Sequence, residues 1–364
     1  QFWKKNKPTA SLKTMRDVTR QIVWTSGIAQ GAIEAVTDYV IGTGLTYDYQ
    51  IPEGIDEGMR ELLEEARELA NERWKDFSER EHWPELEGQL MELADRDGES
   101  FCRMFAGENG DVAVRYVAPE DVKDDEAKWP WGIVSPPDDT QLVLAYCLGK
   151  EKVPAQDMLH LRLNSDPDVP RGVPSLWPVR TAVVRSEKIL RNVSKLAEIQ
   201  AAIAIVRKNN YPITQENGTA WLDAQADKTK TNPWTGKSMR QKYFPAGSII
   251  DTNATTSLEF PTAGVSLANF PPALLMSLRP IAVRLGLPDF VVTGDVSTTN
   301  FASVFVSIAP STKRLQRKQS KVLSVMKQIH QRVRNAALAV GALPDLAAIL
   351  ISSVTGPEVS NRDE

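Results

Sequence analysis

The stretch from Phe270 to about Val340 constrains this chain more than any other, because its prolines and its charge pattern admit few folds. It opens with FPPALLMSLRPIAVRLGLP, where Pro271-Pro272 is a helix start signal. Leu274, Leu278, Ile281 and Leu285 recur there at spacings of 4, 3 and 4, which is one helical face. Pro280 lies inside that run and should kink it or shorten its first turn. Pro288 to Asn300 reads as a loop with no basic residue, tipped by Gly294, Asp295 and small hydroxyl side chains. From Phe301 to Val340 the pattern is helical again, with Pro310 placed to bend it. Between Val296 and Pro344 there are eight Lys or Arg and no Asp or Glu. A polar loop between two helices, followed by a long basic helix, suits lining a passage better than closing a pocket.

The opposite charge is concentrated elsewhere. From Glu53 to Glu99 there are 17 acidic and 6 basic residues, although the whole chain carries a formal net charge of only -4. That small total argues against a protein that wraps nucleic acid through bulk charge. The 364 residues suggest two or three folding units. Two cysteines, Cys102 and Cys147, make neither a disulfide framework nor a metal site, so a reducing compartment is expected. No apolar run reaches the length of a membrane span, and Gln1-Phe2-Trp3 does not open a signal peptide.

Taken in order, residues 12 to 41 read as one helix striped by Val18, Ile22, Ile33, Val36 and Val40 and ended at Gly42-Thr43-Gly44. Residues 56 to 97 form a second helical region divided by Pro84, its many Glu residues on a solvated outer face. From Phe101 the period shortens. FCRMF, VAVRYV (112 to 117), LVLAYCL (142 to 148) and DMLHLRL (157 to 163) read as strands. After Pro178 a helix of about thirty residues is expected, with Ala182, Ile189, Val193, Leu196, Ile199 and Ile203 as its stripe. Residues 208 to 264 are polar and turn-rich, with SIID (248 to 251) and SLEF (257 to 260) as short strands.

Several apparent chemical motifs dissolve on inspection. Thr231 to Ser238 ends in Gly-Lys-Ser, but the phosphate loop's first glycine is Thr231, Pro233 removes a cradle amide, and no strand leads in. A turn exposing Trp234 at a protein contact accounts for it better. Gly42-x-Gly44 follows a helix and lacks the third glycine of a dinucleotide site. Asp95-x-Asp97-Gly98-Glu99 lacks the later ligands of a calcium loop. His82, His160 and His330 are isolated from one another. No nucleophile–base pair or metal-ligand set emerges, so neither an enzyme nor a cofactor is expected.

With this order established, the chain resembles the portal proteins of tailed bacteriophages, in particular the lambda-type family. The likeness runs through SGIAQGAIEAVTDYVIGTGL, the D-G-E-x-F pattern at Asp97 to Phe101, the D-x-L-H strand at Asp157 to His160, and R-G-x-P at Arg171 to Pro174. Its strongest part is IAVRLGLPDFVVTGDVSTTNFAS. The motifs cover Ser26 to about Leu338; the insertion 208 to 264 is placed by position alone.

The resemblance implies an α+β portal fold. Residues 1–177 would form an α/β wing, 178–207 and 265–287 two long stem helices, and 208–264 a small α/β clip. Residues 288–300 would be a tunnel loop, and 301–364 a kinked helix, a helical crown and a return to the wing. Portals are ring homo-oligomers, usually dodecamers, at one capsid vertex of the virion, assembled in the host cytoplasm and threaded by double-stranded DNA. Implied partners are the large terminase, the head-completion or connector protein and the major capsid protein, with no membrane. The DNA channel would be lined by Asp295, Val296, Ser297, Thr298, Thr299 and Asn300, and the clip would present Trp234, Lys237 and Arg240. Val193, Leu196, Ile203, Leu278 and Ile281 would pack the stem and subunit contacts. A channel that lets DNA slide should avoid tight phosphate contacts, and a loop without a base meets that need. Whether the following Lys and Arg residues meet DNA or a neighbouring subunit stays open. So do two other classes: a non-portal structural or adaptor protein of a phage head, and an enzyme acting on nucleic acid.

Overall fold

The computed structural model describes residues 11–209, except 125, 127, 130, 137, 140 and 167–168, and then 228–231, 238–241, 248–253, 270–295 and 301–359. Side chains are described outside 199–209, 228–253 and 301–307. The chain is an α+β fold of helices and small sheets, in two compact units: Gln1–Val184 with Leu278–Glu364, and Arg185–Ser277.

The first unit begins with α1 (Leu12–Thr25) and α2 (Gly27–Val40), where a single helix was expected. Ser26 leaves helical geometry at φ -124° and ψ 113°, and its hydroxyl accepts from the Ala29 amide, starting α2 as α1 ends. Serine favours such local bonds over a continuous helix. β1 (Thr46–Gln50) follows, then α3 (Glu57–Glu81) and α4 (Trp83–Asp97). These helices separate at His82, which is left-handed at φ 50°. Pro84 therefore falls in the first turn of α4, where its missing N–H breaks no helical bond. Leu63, Ala66, Ala70, Trp74 and Phe77 form the buried stripe of α3, and Glu57, Glu61, Glu65, Glu68 and Glu72 lie exposed.

β2 (Glu99–Ala106) is the centre of an antiparallel sheet between β3 (Val112–Val117) and β8 (Met158–Arg162). A second sheet contains β4 (Lys123–Asp124), β5 (Ile133–Val134), β6 (Ala145–Gly149) and β7 (Glu151–Pro154). The strand expected from residue 142 starts only at Ala145, and Leu142 and Leu144 are exposed. Phe101 and Met158 of the first sheet pack with Ile133 and Tyr146 of the second and with Val122 just before β4.

The helix expected over 178–207 is α5 (Arg180–Ala202), and Ile203–Asn209 is instead β9. The β-branched run Ile203, Ile205, Val206 favours a strand. Within the second unit β9 pairs in parallel with β12 (Ser248–Asn253), and β10 (Lys228–Thr231) pairs antiparallel with β11 (Ser238–Gln241). The expected strand 257–260 lies outside the described residues.

α6 (Phe270–Leu285) stays helical through Pro280. The loop expected from Pro288 contains a one-turn helix, α7 (Asp289–Thr293). Pro288 precedes it, Asp289 suits its first turn, and Gly294 at φ 66° closes it by donating to the Phe290 carbonyl. α8 (Phe301–Ala339) contains Pro310 and buries Leu315, Val322, Met326, Ile329 and Val333 along one stripe. After it come a short turn at Asp345–Ile349 and β13 (Ile351–Thr355), which pairs antiparallel with β1. Neither partner of that pair was expected from the sequence. No described helix is long and apolar enough to cross a membrane.

Candidate functional site

The expected channel, clip and stem residues are only partly visible. Asp295 is exposed just after α7, and its amide donates to the Thr293 hydroxyl at 3.3 Å. Val296 to Asn300 lie outside the described residues, as do Trp234 and Lys237, and Arg240 belongs to β11 with its side chain undescribed. Leu278 and Ile281 are buried on α6, Leu196 is buried on α5, and Val193 is half-buried. Ile203 lies in β9 rather than on a helix, which corrects its place in the expected stripe.

Three of the motifs that carry the family likeness, D-G-E, D-x-L-H and R-G-x-P, converge instead on one buried carboxylate in the first unit. Glu99 opens β2 and is fully buried. Its Oε1 accepts from Arg16 of α1 and from Arg171 Nε at 2.7 Å. Its Oε2 accepts from the Gly172 amide at 2.9 Å and from His160 Nε2 at 3.2 Å. A carboxylate flanked by two guanidiniums only accepts, so His160 carries its proton on Nε2, and Nδ1 accepts from the Tyr146 hydroxyl at 3.3 Å. Burial alone would raise the Glu99 pKa, but Arg171, His160 and Arg16 outweigh it and hold it at about 2. Burial in turn lowers the His160 pKa, keeping the ring neutral.

Glycine makes this convergence possible. Gly98 is left-handed at φ 91°, and a Cβ there would lie 2.4 Å from the Val173 carbonyl carbon. A Cβ on Gly172 would lie 1.9 Å from the Gly98 oxygen. The glycines of D-G-E and R-G-x-P therefore let two backbones cross in direct contact, where any side chain would force them apart. Arg171 then reaches the carbonyls of Pro119, Val122 and Trp131 at 2.6, 2.9 and 2.9 Å.

Two more buried carboxylates extend the network. Asp97 receives both Arg20 and Arg96 in two-bond contacts of 2.8 to 3.0 Å. Asp95 accepts from the Ser175 hydroxyl at 2.6 Å and from Lys318 of α8 at 2.7 Å. Arg284 of α6 donates to the Ser175 carbonyl at 2.9 Å, and Arg314 of α8 donates to the Val283 carbonyl. The end of α6 and the middle of α8, which flank α7 and the segment after it, are thus tied to the same charged core.

Glu87 of α4 is a contrasting buried acid. It accepts from the Leu45 amide at 2.7 Å and the Tyr47 hydroxyl at 2.6 Å, and Tyr47 in turn accepts from Trp83 Nε1. No cation touches it among the described residues, and burial pushes its pKa up to about 7 despite those donors.

Among the described residues no group of His, Cys, Asp and Glu is arranged to hold a metal ion. The charged network braces the unit. Sequence reasoning noted D-G-E and R-G-x-P, weighed Asp95 only as part of a failed calcium loop, and missed Arg16, Arg20 and Lys318. One signal was available: Arg16 stands among Met15, Thr19 and Ile22 on the buried face of α1, where an unpaired cation is unstable.

A family model for phage portal protein, lambda family, matches residues 4–319. No curated protein matches the chain. Similar solved structures include an HK97-family phage portal protein from Corynebacterium diphtheriae, 10% identical over 93% of this chain and 94% of that one, with a TM-score of 0.39. Another is the neck of a native gene transfer agent particle, 12% identical over 98% and 87%, with a TM-score of 0.42.

Proposed function

Because the chain belongs to the lambda family of phage portal proteins, we propose that it forms the ring at one capsid vertex through which double-stranded DNA is packaged and ejected. The ring is a homo-oligomer, a dodecamer in this reading, with α7 and the segment to Asn300 reaching its channel. The observation that carries this placement is the polar, exposed end of α7 at Gly294 and Asp295, held between two helices that are themselves anchored. The Lys318–Asp95 ion pair and the Arg284 and Arg314 bonds fix those helices without involving the tip. A polar tip without a basic residue, on a braced base, can touch passing DNA without binding it, because each phosphate contact would add salt-dependent affinity.

Residues 1–177 serve as the wing in this reading, and α5 and α6 form the stem. The insertion 208–264 is the clip that meets the large terminase and later the connector, through Trp234, Lys237 and Arg240. The major capsid protein surrounds the wing.

The test is Asp295→Lys. It places one cation per subunit beside the DNA, while the exposed position leaves folding and ring mass unchanged. Packaging in a defined extract should slow, and more steeply at low salt. Full-length packaging at the normal rate by rings of the variant would put Asp295 away from the channel.

A further inference from the structure

The two sheets of the first unit meet through Phe101 and Met158 on one side and Val122, Ile133 and Tyr146 on the other, with Val117 and Leu148 packed at their edge. Along β2 the cross-strand pairs then change character in order. Phe101 stands opposite Val117, Arg103 opposite Arg115, and Phe105 opposite Ala113. Alternate residues of a strand share a face, so all three pairs belong to the face that carries the core. The apolar pair is followed by a cationic pair, and there the sandwich opens.

The opening is a cleft of about 410 Å³ lined by Arg103, Arg115 and Lys123, with Val117 and Leu148 continuing the core into it. One aromatic side chain, Phe105, also lines it and remains 43% exposed. The Arg103 guanidinium lies over the Phe105 ring, 4.7 Å from its centre. One carboxylate, Asp121, lines the same cleft.

Like charges directly opposite on neighbouring strands destabilise the pair unless an anion offsets them. Glu151 does this for Arg103 and Glu81 for Arg115. These two carboxylates differ: Glu81 is 8% exposed, whereas Glu151 is 55% exposed. A solvent-facing ion pair of the second kind contributes little and exchanges readily for another carboxylate.

We infer that this cleft docks an extended acidic segment of a partner protein. The partner's carboxylates bind Arg103, Arg115 and Lys123, displacing Glu151, and an apolar side chain of the segment rests against Phe105. Arginine and aromatic side chains together are the residue types that anchor protein interfaces. The volume suits a few side chains of a single strand, whereas a DNA duplex is too wide to enter.

The experiment measures fluorescence anisotropy of a labelled peptide, six glutamates followed by phenylalanine, titrated with the whole chain. A lysine counterpart and a short DNA duplex serve as comparison probes. The acidic peptide should saturate, and Arg115→Glu, at a largely exposed side chain, should weaken it by about tenfold. Glu151→Gln removes the internal competitor and should tighten binding by roughly twofold to threefold, a gain that misfolding cannot produce. Equal affinity of the native and Arg115→Glu chains for the peptide, or weaker binding by Glu151→Gln, overturns the proposal. Duplex binding that depends on Arg115 without peptide binding would make nucleic acid the occupant and overturn it too.

Discussion

Glu99 and Glu87 are both wholly buried carboxylates of the same unit, one at the start of β2 and one on the preceding helix α4. Around Glu99 stand two guanidiniums, an imidazole N–H and a backbone amide; around Glu87 stand a phenol and a backbone amide. The first is held down at about 2 and the second pushed up to about 7. Burial costs a carboxylate its hydration in either place, and hydrogen bonds from neutral donors do not recover that cost. Only formal cations within contact distance do. Glu99 is therefore a charged keystone whose removal strands two arginines, and Glu87 an acid close to neutrality at ordinary pH.

The largest expected break in this comparison is Glu99→Gln. It leaves Arg16 and Arg171 buried without their carboxylate and should cost about 3–5 kcal/mol, read as a fall in the urea midpoint. Glu87→Gln strands no cation. A midpoint for Glu99→Gln close to native would mean that solvent, or Glu120 at 3.9 Å from Arg16, takes over the stranded charge.

The pH profile of the native chain separates the two sites next. Glu99 titrates lower in the folded chain than the ordinary 4.5, so its stabilisation is complete above about 4.5 and is lost as pH falls toward 2. Glu87 titrates higher in the folded chain. The fold keeps a proton that the unfolded chain releases, so stability declines as pH rises from about 4.5 through 7. Urea midpoints should therefore fall on both sides of a maximum near pH 5. A profile that only rises from pH 4 to pH 8 would contradict the Glu87 half.

The smallest effect sharpens that half. Glu87→Gln should flatten the decline between pH 5 and 7 and raise stability at pH 8 by roughly 1 kcal/mol, since a neutral amide still accepts one of the two bonds. An unchanged slope in this variant would place the titrating group elsewhere, with Glu92, also raised by burial, the next to replace.

Much of the secondary structure was legible in the sequence, for a local reason. The stripe at Leu63, Ala66, Ala70, Trp74 and Phe77, the alternation in VAVRYV, and Gly294 after Thr293 each encode burial or backbone geometry within a few residues. Errors arose where two local signals competed. Ser26 interrupted a helical run, Ile203 began a strand inside an apolar stripe, and Pro288 with Asp289 started a turn of helix in what looked like loop.

The order of the family motifs was written in the sequence, and with it the lambda-family membership; why glycine stands at 98 and 172 was not, because it rests on two backbones that only the fold brings together. What only the tertiary structure decided was which groups meet: Arg16 and Arg171 on Glu99, Lys318 on Asp95, and β1 beside β13 from the other end of the described chain. Periodicity reports whether a position is buried, because burial follows from the local face of a helix or strand. It is silent on the partner, because a charge or a strand edge is satisfied by whatever long-range packing brings within about 3 Å.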